Sequence, residues 1–307
     1  MRVLVTGAGG FLGRGLAARL SAWLPQGAKL VLTDRSTEGL QVPGADAMAG
    51  DLADPAFRAA LLDPGFDVVF HLASLPGGLA EREQKAGFQV NLLAPVSLAT
   101  EVAARRPGAR FVFASTIAVY GALTDAPVTQ ETPTAPLITY GAHKRMMEIL
   151  LTDMTRRGAL SAISLRFPGI VARPPSESGH GSAFMSQIFH HIAAGRRFAC
   201  PIAAESTCWW MSRQAAVDVL LKAAGLDDAT ATVVQPPVLH ASLQDVAAAT
   251  ARVTGRAALI DWGTDENLRA LFGNMPPLDA EPARALGFRS DPNLDALAKA
   301  ALSEDPS

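Results

Sequence analysis

The feature that most limits what this chain can fold into is an apolar run that leads directly into closely spaced glycines. Residues 3–6 read Val-Leu-Val-Thr. Gly7, Gly10 and Gly13 follow, and a helical segment begins there. In such a unit the first glycine makes the tight turn, the second lets the backbone approach a pyrophosphate, and the third lets the helix lie close to the sheet. Because the helix N-terminus also stabilises an anion, we predict a dinucleotide site at the start of the chain.

Short apolar runs rich in branched residues alternate with longer helical segments through the first half of the chain. Runs that are apolar throughout suit strands buried on both faces, as in a parallel sheet covered by helices. The alternation indicates an α/β fold with a doubly wound parallel sheet of the Rossmann type, in which helices are the crossovers. The predicted strands cover residues 3–6, 30–33, 67–72, 110–114 and 162–167, and the predicted helices cover 13–24, 55–62, 84–105 and 140–157.

The alternating pattern weakens after Phe167, where prolines, glycines and serines indicate a loop that leaves the sheet. We predict an NAD-binding Rossmann domain over residues 1–168, joined by part of 212–252. Residues 169–307 are predicted to be mainly a smaller, mixed α/β lobe that binds the substrate. In this second part of the chain the predicted helices cover 183–195, 212–224 and 243–254, and isolated strands lie near 232–234 and 259–261.

Composition and charge exclude several classes of function. The chain has 307 residues, 49% of them hydrophobic, and a formal net charge of −2, so it lacks the basic excess of most nucleic-acid and membrane surfaces. The two cysteines, Cys200 and Cys208, form no disulfide or metal-binding pattern. The sequence shows neither a signal peptide nor the roughly eighteen consecutive apolar residues that span a membrane. We expect a soluble cytoplasmic protein that binds no metal, nucleic acid or membrane.

Carboxylates follow the second and third predicted strands. Asp34 ends the second strand, where it can accept hydrogen bonds from an adenosine ribose and would repel a 2′-phosphate. This favours NAD over NADP, although the neighbouring Arg35 weakens the exclusion. Asp51 and Leu52 follow a third, short strand that precedes the strand predicted over 67–72, and they could hold the adenine edge. His71 lies at the end of the strand over 67–72, and we interpret it as a structural histidine.

A tyrosine and a lysine four residues apart provide the candidate catalytic pair. Tyr140 and Lys144 share one face of the predicted helix. A free tyrosine has a pKa near 10, and a nearby ammonium favours its phenolate. Tyr140 could then take the proton from a substrate hydroxyl while the carbinol hydride moves to nicotinamide. Lys144 could also hold the nicotinamide ribose, and a hydroxyl of Ser115 or Thr116 could orient the substrate oxygen.

Several motifs together carry a resemblance to a known family. They are TGAGGFLG at 6–13, Asp34, Asp-Leu at 51–52, HLAS at 71–74, Asn91, STIAVYG at 115–121 and YGAHK at 140–144. This set resembles the extended short-chain dehydrogenases, the NAD-dependent epimerase/dehydratase family, over essentially the whole chain. The resemblance implies NAD as the cofactor and places Thr116 where the family carries its catalytic serine. The implied NAD contacts are Gly7, Gly10, Phe11, Leu12, Gly13, Asp34, Asp51, Leu52, Leu72, Ala73, Ser74, Asn91, Ser115, Tyr140, Lys144, Pro168 and Ile170.

A narrower resemblance lies in the second half of the chain. The segments that carry it are LRFPGIVARP at 165–174, SAF at 182–184, Cys-Pro at 200–201, WWMS at 209–212 and RALGF at 284–288. They are similar to a group within that family, the D-erythronate dehydrogenases. The similarity implies that NAD oxidises the C2 hydroxyl of a four-carbon sugar acid to the 2-keto acid.

One position departs from that group, which carries an arginine shortly before the tryptophan of its WLMS-like motif. This chain has Ser206-Thr207-Cys208 there. A sugar-acid carboxylate needs a charged or bidentate donor. Arg173 is the nearest alternative by motif, and His180 is another. The candidate substrate residues are Ser74, Thr116, Arg173 and Trp209.

Other functions are compatible with the same motifs. A nucleotide-sugar epimerase or dehydratase would retain NAD through each turnover, and a uronate dehydrogenase would oxidise a different sugar. Dehydratases usually carry an acid–base pair such as Asp-Glu where this chain has Thr116-Ile117. A non-catalytic NAD sensor is disfavoured by the intact Tyr140 and Lys144. Related enzymes commonly pair through the helices that begin here at Gln84 and Tyr140, so the resemblance implies a homodimer.

Overall fold

The strands form one large sheet and two small ones in the computed structural model, which describes residues 1–174, 181–227 and 232–303. In chain order they are β1 (Arg2–Thr6), β2 (Lys29–Asp34), β3 (Ala45–Ala49), β4 (Val68–His71), β5 (Arg110–Thr116), β6 (Ser161–Phe167), β7 (Gly169–Val171), β8 (Phe198–Cys200), β9 (Thr207–Ser212), β10 (Val233–Val234), β11 (Leu239–Ser242) and β12 (Ile260–Trp262).

Helices lie between these strands and after them. In chain order they are α1 (Phe11–Trp23), α2 (Pro55–Leu62), α3 (Gly77–Arg82), α4 (Gln84–Phe88), α5 (Ala94–Arg105), α6 (Thr139–Arg156), α7 (Phe184–Ala193), α8 (Arg213–Ala224), α9 (Leu243–Thr254), α10 (Glu266–Phe272), α11 (Glu281–Ala285) and α12 (Leu294–Ser303).

The large sheet has seven parallel strands in the order β10-β6-β5-β4-β1-β2-β3. The chain runs outward from β1 to β3 in one direction and from β4 to β6 in the other, so the order reverses between β1 and β4. In open sheets of this kind, ligands bind beyond the carboxyl ends of the strands at that reversal. The glycine turn follows β1, which places it at this point and confirms the doubly wound α/β prediction.

Helices cover both faces of the large sheet because side chains along each strand point alternately to opposite sides. Val3 and Val5 pack in the apolar cluster shared with α1 and α8, whereas Leu4 packs in the cluster shared with α2, α5 and α6. All seven residues of β6 are buried, as expected for a strand covered on both faces. Each fully buried aliphatic side chain contributes about 1.5–3 kcal/mol, so these two clusters stabilise the large sheet and its helices.

The helix predicted over 84–105 is not continuous. The structure divides it into α4, a π-helical turn over Gln89–Leu93 and α5. Pro95 lies in the first turn of α5. Because proline has no N–H and its ring clashes with the carbonyl four residues earlier, the regular helical bond to Asn91 is lost and the turn widens there.

The second lobe is built from the two small sheets and their helices. One sheet has the order β11-β9-β7, and the other pairs β12 with β8. Helices α7, α9 and α12 enclose its core, which includes Trp210. Adjacent residues of a strand point to opposite faces. Trp209 therefore packs in the apolar cluster that the large sheet shares with α1 and α8.

One strand lies elsewhere than the sequence analysis placed it. The residues near 232–234 were expected in the second lobe, but β10 pairs in parallel with β6 at the edge of the large sheet. Two residues are too few for their hydrophobic pattern to show which sheet they join. The preceding helix, α8, packs on α1 and so brings the chain back to the large sheet.

Within the described ranges, no helix is long and apolar enough to cross a membrane. No group of three or more His, Cys, Asp or Glu side chains in that part of the chain could hold a metal ion. Cys200 and Cys208 are both free thiols and both buried.

Candidate active site

A cavity of about 890 Å³ lies at the carboxyl ends of β1, β4, β5 and β6, between the large sheet and the second lobe. This is the position at which doubly wound sheets bind ligands. Among the sequence-predicted site residues, those that line the cavity are Gly7, Gly10, Phe11, Leu12, Gly13, Leu72, Ser74, Ser115, Thr116, Tyr140, Lys144, Pro168, Ile170, Arg173 and Trp209. Those that lie outside its wall are Asp34, Asp51, Leu52, Ala73 and Asn91. His180 falls outside the described residues.

The glycine turn is shaped for close approach. Gly7 has a φ of +70°, in the region that favours glycine, and a Cβ there would lie 2.5 Å from the backbone nitrogen of Ala73. A Cβ at Gly13 would overlap the carbonyl oxygen of Gly7. The N-cap of α1 is Gly10, which supplies no side-chain cap, and the first turn carries no acidic residue. The N–H groups at this helix end are therefore available to an anion from the cavity.

Asp34 lies beside this turn. Its Oδ2 accepts a 2.9 Å hydrogen bond from the backbone N–H of Gly9, and its Oδ1 accepts a 2.7 Å bond from that of Arg35. The carboxylate is half-buried, whereas the Arg35 side chain is exposed. The acidic group at the end of β2 thus stands next to the glycine turn, as its position in sequence led us to expect.

The other residues outside the wall support neighbouring loops. Asp51 accepts a hydrogen bond from the backbone N–H of Ala53 and caps the loop before α2. Asn91 is 1% exposed. Its side chain makes three hydrogen bonds to the segment 74–75, one of them to the Ser74 hydroxyl at 3.1 Å. The Asn91 amide therefore does not face the cavity, and it holds Ser74 from the side away from it.

Tyr140 and Lys144 lie one turn apart on α6, with the lysine Nζ 5.5 Å from the centre of the tyrosine ring. Lys144 is 2% exposed, and its Nζ donates a 2.8 Å hydrogen bond to the carbonyl of Ala114 and lies 4.6 Å from the centre of the Phe113 ring. Burial lowers the pKa of Lys144 to about 7. The lysine is thus held at the end of β5, beside the tyrosine ring.

The pKa of Tyr140 differs from the sequence-based hypothesis. Burial raises it, while the Arg173 guanidinium and a hydrogen bond with Ser74 act in the opposite direction. We expected the Lys144 ammonium to favour the phenolate. The effect of Lys144 on the phenol stays a prediction: Arg173 is the cation that acts to lower the pKa of Tyr140 here, and the Lys144 Nζ donates to the Ala114 carbonyl.

The two hydroxyls at the end of β5 have different partners. Ser115 donates a 2.6 Å hydrogen bond to Glu148, a fully buried carboxylate that Arg166 binds through two N–H groups at 3.0 and 2.9 Å. Thr116 accepts a 3.2 Å bond from the backbone N–H of Ala118, so its own proton is still available for donation. Since strand residues alternate in direction, only one of the two hydroxyls can face the substrate side.

Arg173 is held by α7, which sequence reasoning did not connect with it. Its backbone N–H donates to the Ser186 hydroxyl at 3.0 Å, and its carbonyl accepts a 2.7 Å bond from Nε2 of His190. Burial lowers the pKa of Arg173, and Tyr140 opposes that change. The arginine predicted by motif therefore lines the same cavity as Tyr140 and acts electrostatically on its phenol.

Trp209 lines the cavity but is 1% exposed. Its Nε1 donates a 2.7 Å hydrogen bond to the carbonyl of Pro276, and its ring meets that of Tyr120 edge-on, with centres 6.3 Å apart. The indole is therefore a fixed part of the cavity wall.

Residues 3–220 match the NAD dependent epimerase/dehydratase family. The chain is 33% identical to a D-erythronate dehydrogenase of Cupriavidus necator, covering 99% of this chain and 98% of that protein. It is 28% identical to a D-erythronate dehydrogenase of Haemophilus influenzae, covering 95% and 96%. Among solved structures, a nucleoside-diphosphate-sugar epimerase from Agrobacterium tumefaciens superposes with a TM-score of 0.89 at 30% identity, covering 99% of this chain and 94% of that one.

The family match covers well over half of the chain, and the first relative is similar over the full length of both proteins. The parallel sheet, the glycine turn and the Tyr140–Lys144 pair at the carboxyl ends of the strands agree with it. This chain therefore belongs to the NAD dependent epimerase/dehydratase family, the extended short-chain dehydrogenases, and is an oxidoreductase of that family.

Proposed function

We propose that this protein oxidises the C2 hydroxyl of a small sugar acid to a 2-keto acid with NAD, and that D-erythronate is the favoured substrate. The observation that carries the proposal is that Arg173 and Tyr140 line the same cavity, where the guanidinium acts to lower the pKa of the phenol. A 2-hydroxy acid has its carboxylate one bond away from the carbon that reacts. An enzyme for such a substrate therefore needs a cation close to its catalytic base, and arginine is suited to a carboxylate because it donates in a bidentate manner.

The residues around the glycine turn fit a dinucleotide. Its glycines leave no room for side chains, and the uncapped N-terminus of α1 opens into the cavity. We propose that the glycine turn holds the diphosphate, that Asp34 holds the adenosine ribose and favours NAD over NADP, and that Lys144 holds the nicotinamide ribose. The bound cofactor supplies the hydride acceptor.

The side chains of the site supply the proton chemistry. In this proposal Tyr140 takes the proton of the C2 hydroxyl as the C2–H bond breaks and the carbonyl forms. Thr116 donates a hydrogen bond to the reacting oxygen, since Ser115 donates to Glu148. Ser74, held from behind by Asn91, orients the phenol.

The first test is the appearance of NADH with a panel of four- to six-carbon aldonates and uronates. Turnover with D-erythronate is expected in the wild type and absent in Tyr140→Phe, which should still bind NAD. Arg173→Met should lower kcat/KM for D-erythronate by about 100-fold or more, because losing one partner of a buried charge pair costs about 2–5 kcal/mol.

The matched control is Arg196→Met, which removes an exposed arginine and should leave kcat/KM unchanged. The uncharged four-carbon alcohol erythritol serves as a second substrate. Relative to the wild type, Arg173→Met should lower the use of erythritol far less than that of D-erythronate, because erythritol has no carboxylate and can lose only the effect of Arg173 on the Tyr140 phenol. Equal use of D-erythronate by both proteins would remove the basis of the proposal.

A nucleotide-sugar epimerase is the second candidate. The similarity to the Agrobacterium nucleoside-diphosphate-sugar epimerase and the size of the cavity, about 890 Å³, favour it. An epimerase regenerates its cofactor in each turnover. The purified protein would then release about one NAD per chain on denaturation and form no net NADH with any sugar acid. The dehydrogenase proposal requires freely exchanging NAD and stoichiometric NADH.

We also propose that the protein is a homodimer that pairs through α4–α6. Four large apolar side chains on this part of the surface are 40–56% exposed: Phe88, Leu93, Met146 and Ile149. Burying such a patch against a second copy is favourable. The double substitution Met146→Glu and Ile149→Glu should convert a dimer to a monomer in light scattering, and a monomeric wild type would contradict the proposal.

The assignment of the chain to two domains is a further part of the proposal. We propose that residues 1–168, with α8 and β10, form the NAD domain, and that residues 169–211 and 235–303 form the substrate lobe. Both α8 and β10 pack with the large sheet, which supports this division.

A further inference from the structure

We propose that Arg213 binds the diphosphate of the dinucleotide cofactor, a role that rests on the cofactor assignment above. Arg213 is the first residue of α8 and lines the cavity together with the glycine turn. It comes from the segment that follows the second-lobe strand β9, far from the glycine turn in sequence. The motif comparison in the sequence analysis did not single it out.

The guanidinium of Arg213 lies against the first residue of α1. Its Cζ is 4.8 Å from the centre of the Phe11 ring, and Nη1 lies 3.5 Å from the Phe11 carbonyl oxygen. Phe11 belongs to the glycine turn, whose backbone N–H groups are available to an anion. The arginine head group is therefore placed beside the turn that approaches the diphosphate.

The local structure holds Arg213 in this place. The Ser212 hydroxyl caps α8 by accepting a 3.0 Å hydrogen bond from the Ala215 N–H, and the Ser212 N–H donates to Asp291 at 2.9 Å. The aliphatic part of Arg213 crosses α1 at Gly15, where a Cβ would lie 3.1 Å from its Cδ. Glycine at that position leaves a groove for the side chain.

Electrostatics favours an anion as the occupant. Helix N-termini carry partial positive charge, and here the N-terminus of α1 meets a guanidinium that itself begins α8. Neither helix has an acidic residue in its first turn. A guanidinium and a helix N-terminus thus face the same part of the cavity, and both attract the negative charges of a diphosphate.

Arg14 is a second arginine that lines the cavity, and its contacts differ from those of Arg213. Its guanidinium donates to the carbonyls of Gly9, Gly39 and Glu38 at 2.9, 2.8 and 3.2 Å, so it secures the loop after β2. Arg14 is thereby committed to backbone, whereas the Arg213 guanidinium packs on the Phe11 ring in the wall of the cavity.

The competing explanation is purely structural: Arg213 would fasten α8 to α1 and do nothing more. The two explanations differ in ligand dependence. A diphosphate contact affects ligands that contain phosphate, whereas a packing role affects every ligand and the thermal stability alike.

The test is a set of dissociation constants for NAD, ADP-ribose and adenosine, measured calorimetrically without a sugar acid. Arg213→Gln should raise the Kd of NAD and ADP-ribose by about tenfold and leave that of adenosine within about twofold. Its ADP-ribose Kd should also rise less steeply with NaCl concentration than that of the wild type. Arg213→Lys, which keeps the charge, should show a smaller loss.

The matched control is Arg19→Gln, since Arg19 joins the same two helices through an exposed ion pair with Asp218 and lies outside the cavity wall. It should leave all three constants unchanged. An ADP-ribose Kd unaffected by Arg213→Gln, or an equal loss for adenosine, would overturn the inference. If Arg213→Gln fails to fold, Arg213→Met, which keeps an aliphatic side chain in the groove but removes the charge, takes its place, and an unchanged ADP-ribose Kd in that variant would do the same. A wild type that binds neither NAD nor ADP-ribose would instead refute the cofactor assignment.

Discussion

Replacing Lys144 by methionine should stabilise the fold at low pH. The side chain is 2% exposed, and burial lowers its pKa from 10.5 to about 7. One pKa unit corresponds to about 1.4 kcal/mol. Below pH 7 both the folded and the unfolded chain carry the ammonium, so holding it in the buried site costs about 5 kcal/mol. A methionine of similar length has no charge to bury.

Two contacts reduce the expected gain. Lys144 donates to the Ala114 carbonyl and lies over the Phe113 ring, and a charged hydrogen bond contributes about 1.5–3 kcal/mol. We therefore expect Lys144→Met to be more stable than the wild type by about 2–3 kcal/mol at pH 6. Between pH 7 and 10.5 the unfolded chain binds more protons at this lysine than the folded chain does. Wild-type stability therefore rises with pH over that window, and the advantage of the variant disappears near pH 10.

The measurement is urea unfolding of both proteins at pH 6 and pH 10. Lys85→Met, which changes an exposed lysine of α4, is the control and should shift stability by less than about 0.5 kcal/mol. Lys144→Met should also have no dehydrogenase activity, so stability and activity change in opposite directions. A less stable variant at pH 6, or an advantage that persists at pH 10, would refute the reasoning.

Three further substitutions test the geometry of the site. Thr116→Ala should lower kcat by about 100-fold. Ser115→Ala should mainly lower the free energy of unfolding, by about 1–3 kcal/mol, because the buried Glu148 carboxylate loses a hydrogen-bond donor. The reverse pattern would exchange the roles of the two residues. His190→Ala should raise KM for the sugar acid by about fivefold with little change in kcat, since it frees the backbone carbonyl of the substrate-binding arginine. His191→Ala, which frees only a distant carbonyl, is its control, and equal effects would exclude a positioning role. Gly13→Ala should abolish NAD binding measured by calorimetry, because its Cβ overlaps the glycine turn, and retained affinity would contradict that geometry.

Much of the fold could be predicted because its signals are local. The helix predicted over 55–62 is α2 without change, and the strand ends of β1, β5 and β6 fall within a residue or two of their predicted positions. Strand burial, the glycine turn and the spacing of Tyr140 and Lys144 all follow from chain periodicity and backbone geometry over short distances. The break in the helix over 84–105 also has a local cause in Pro95, which could have been found from sequence.

Other features depend on residues that are distant in sequence. The Ser115 hydroxyl meets Glu148 of α6, and Arg173 is held by Ser186 and His190 of α7. No pattern within either segment indicates which partner the other will supply.

The sequence by itself therefore determined the class of fold, the glycine turn and the placement of Tyr140 and Lys144 on one helix face, because each is encoded in a short stretch whose geometry follows from bond angles and helical or strand periodicity. Tertiary structure alone decided which cation reaches Tyr140, which hydroxyl of β5 is left for a substrate, and that Arg213 meets Phe11. Those relations arise when α6 packs on β5, when α8 packs on α1, and when the second lobe closes the cavity over the large sheet. Packing of whole elements brings their side chains together, and burial then shifts their pKa values.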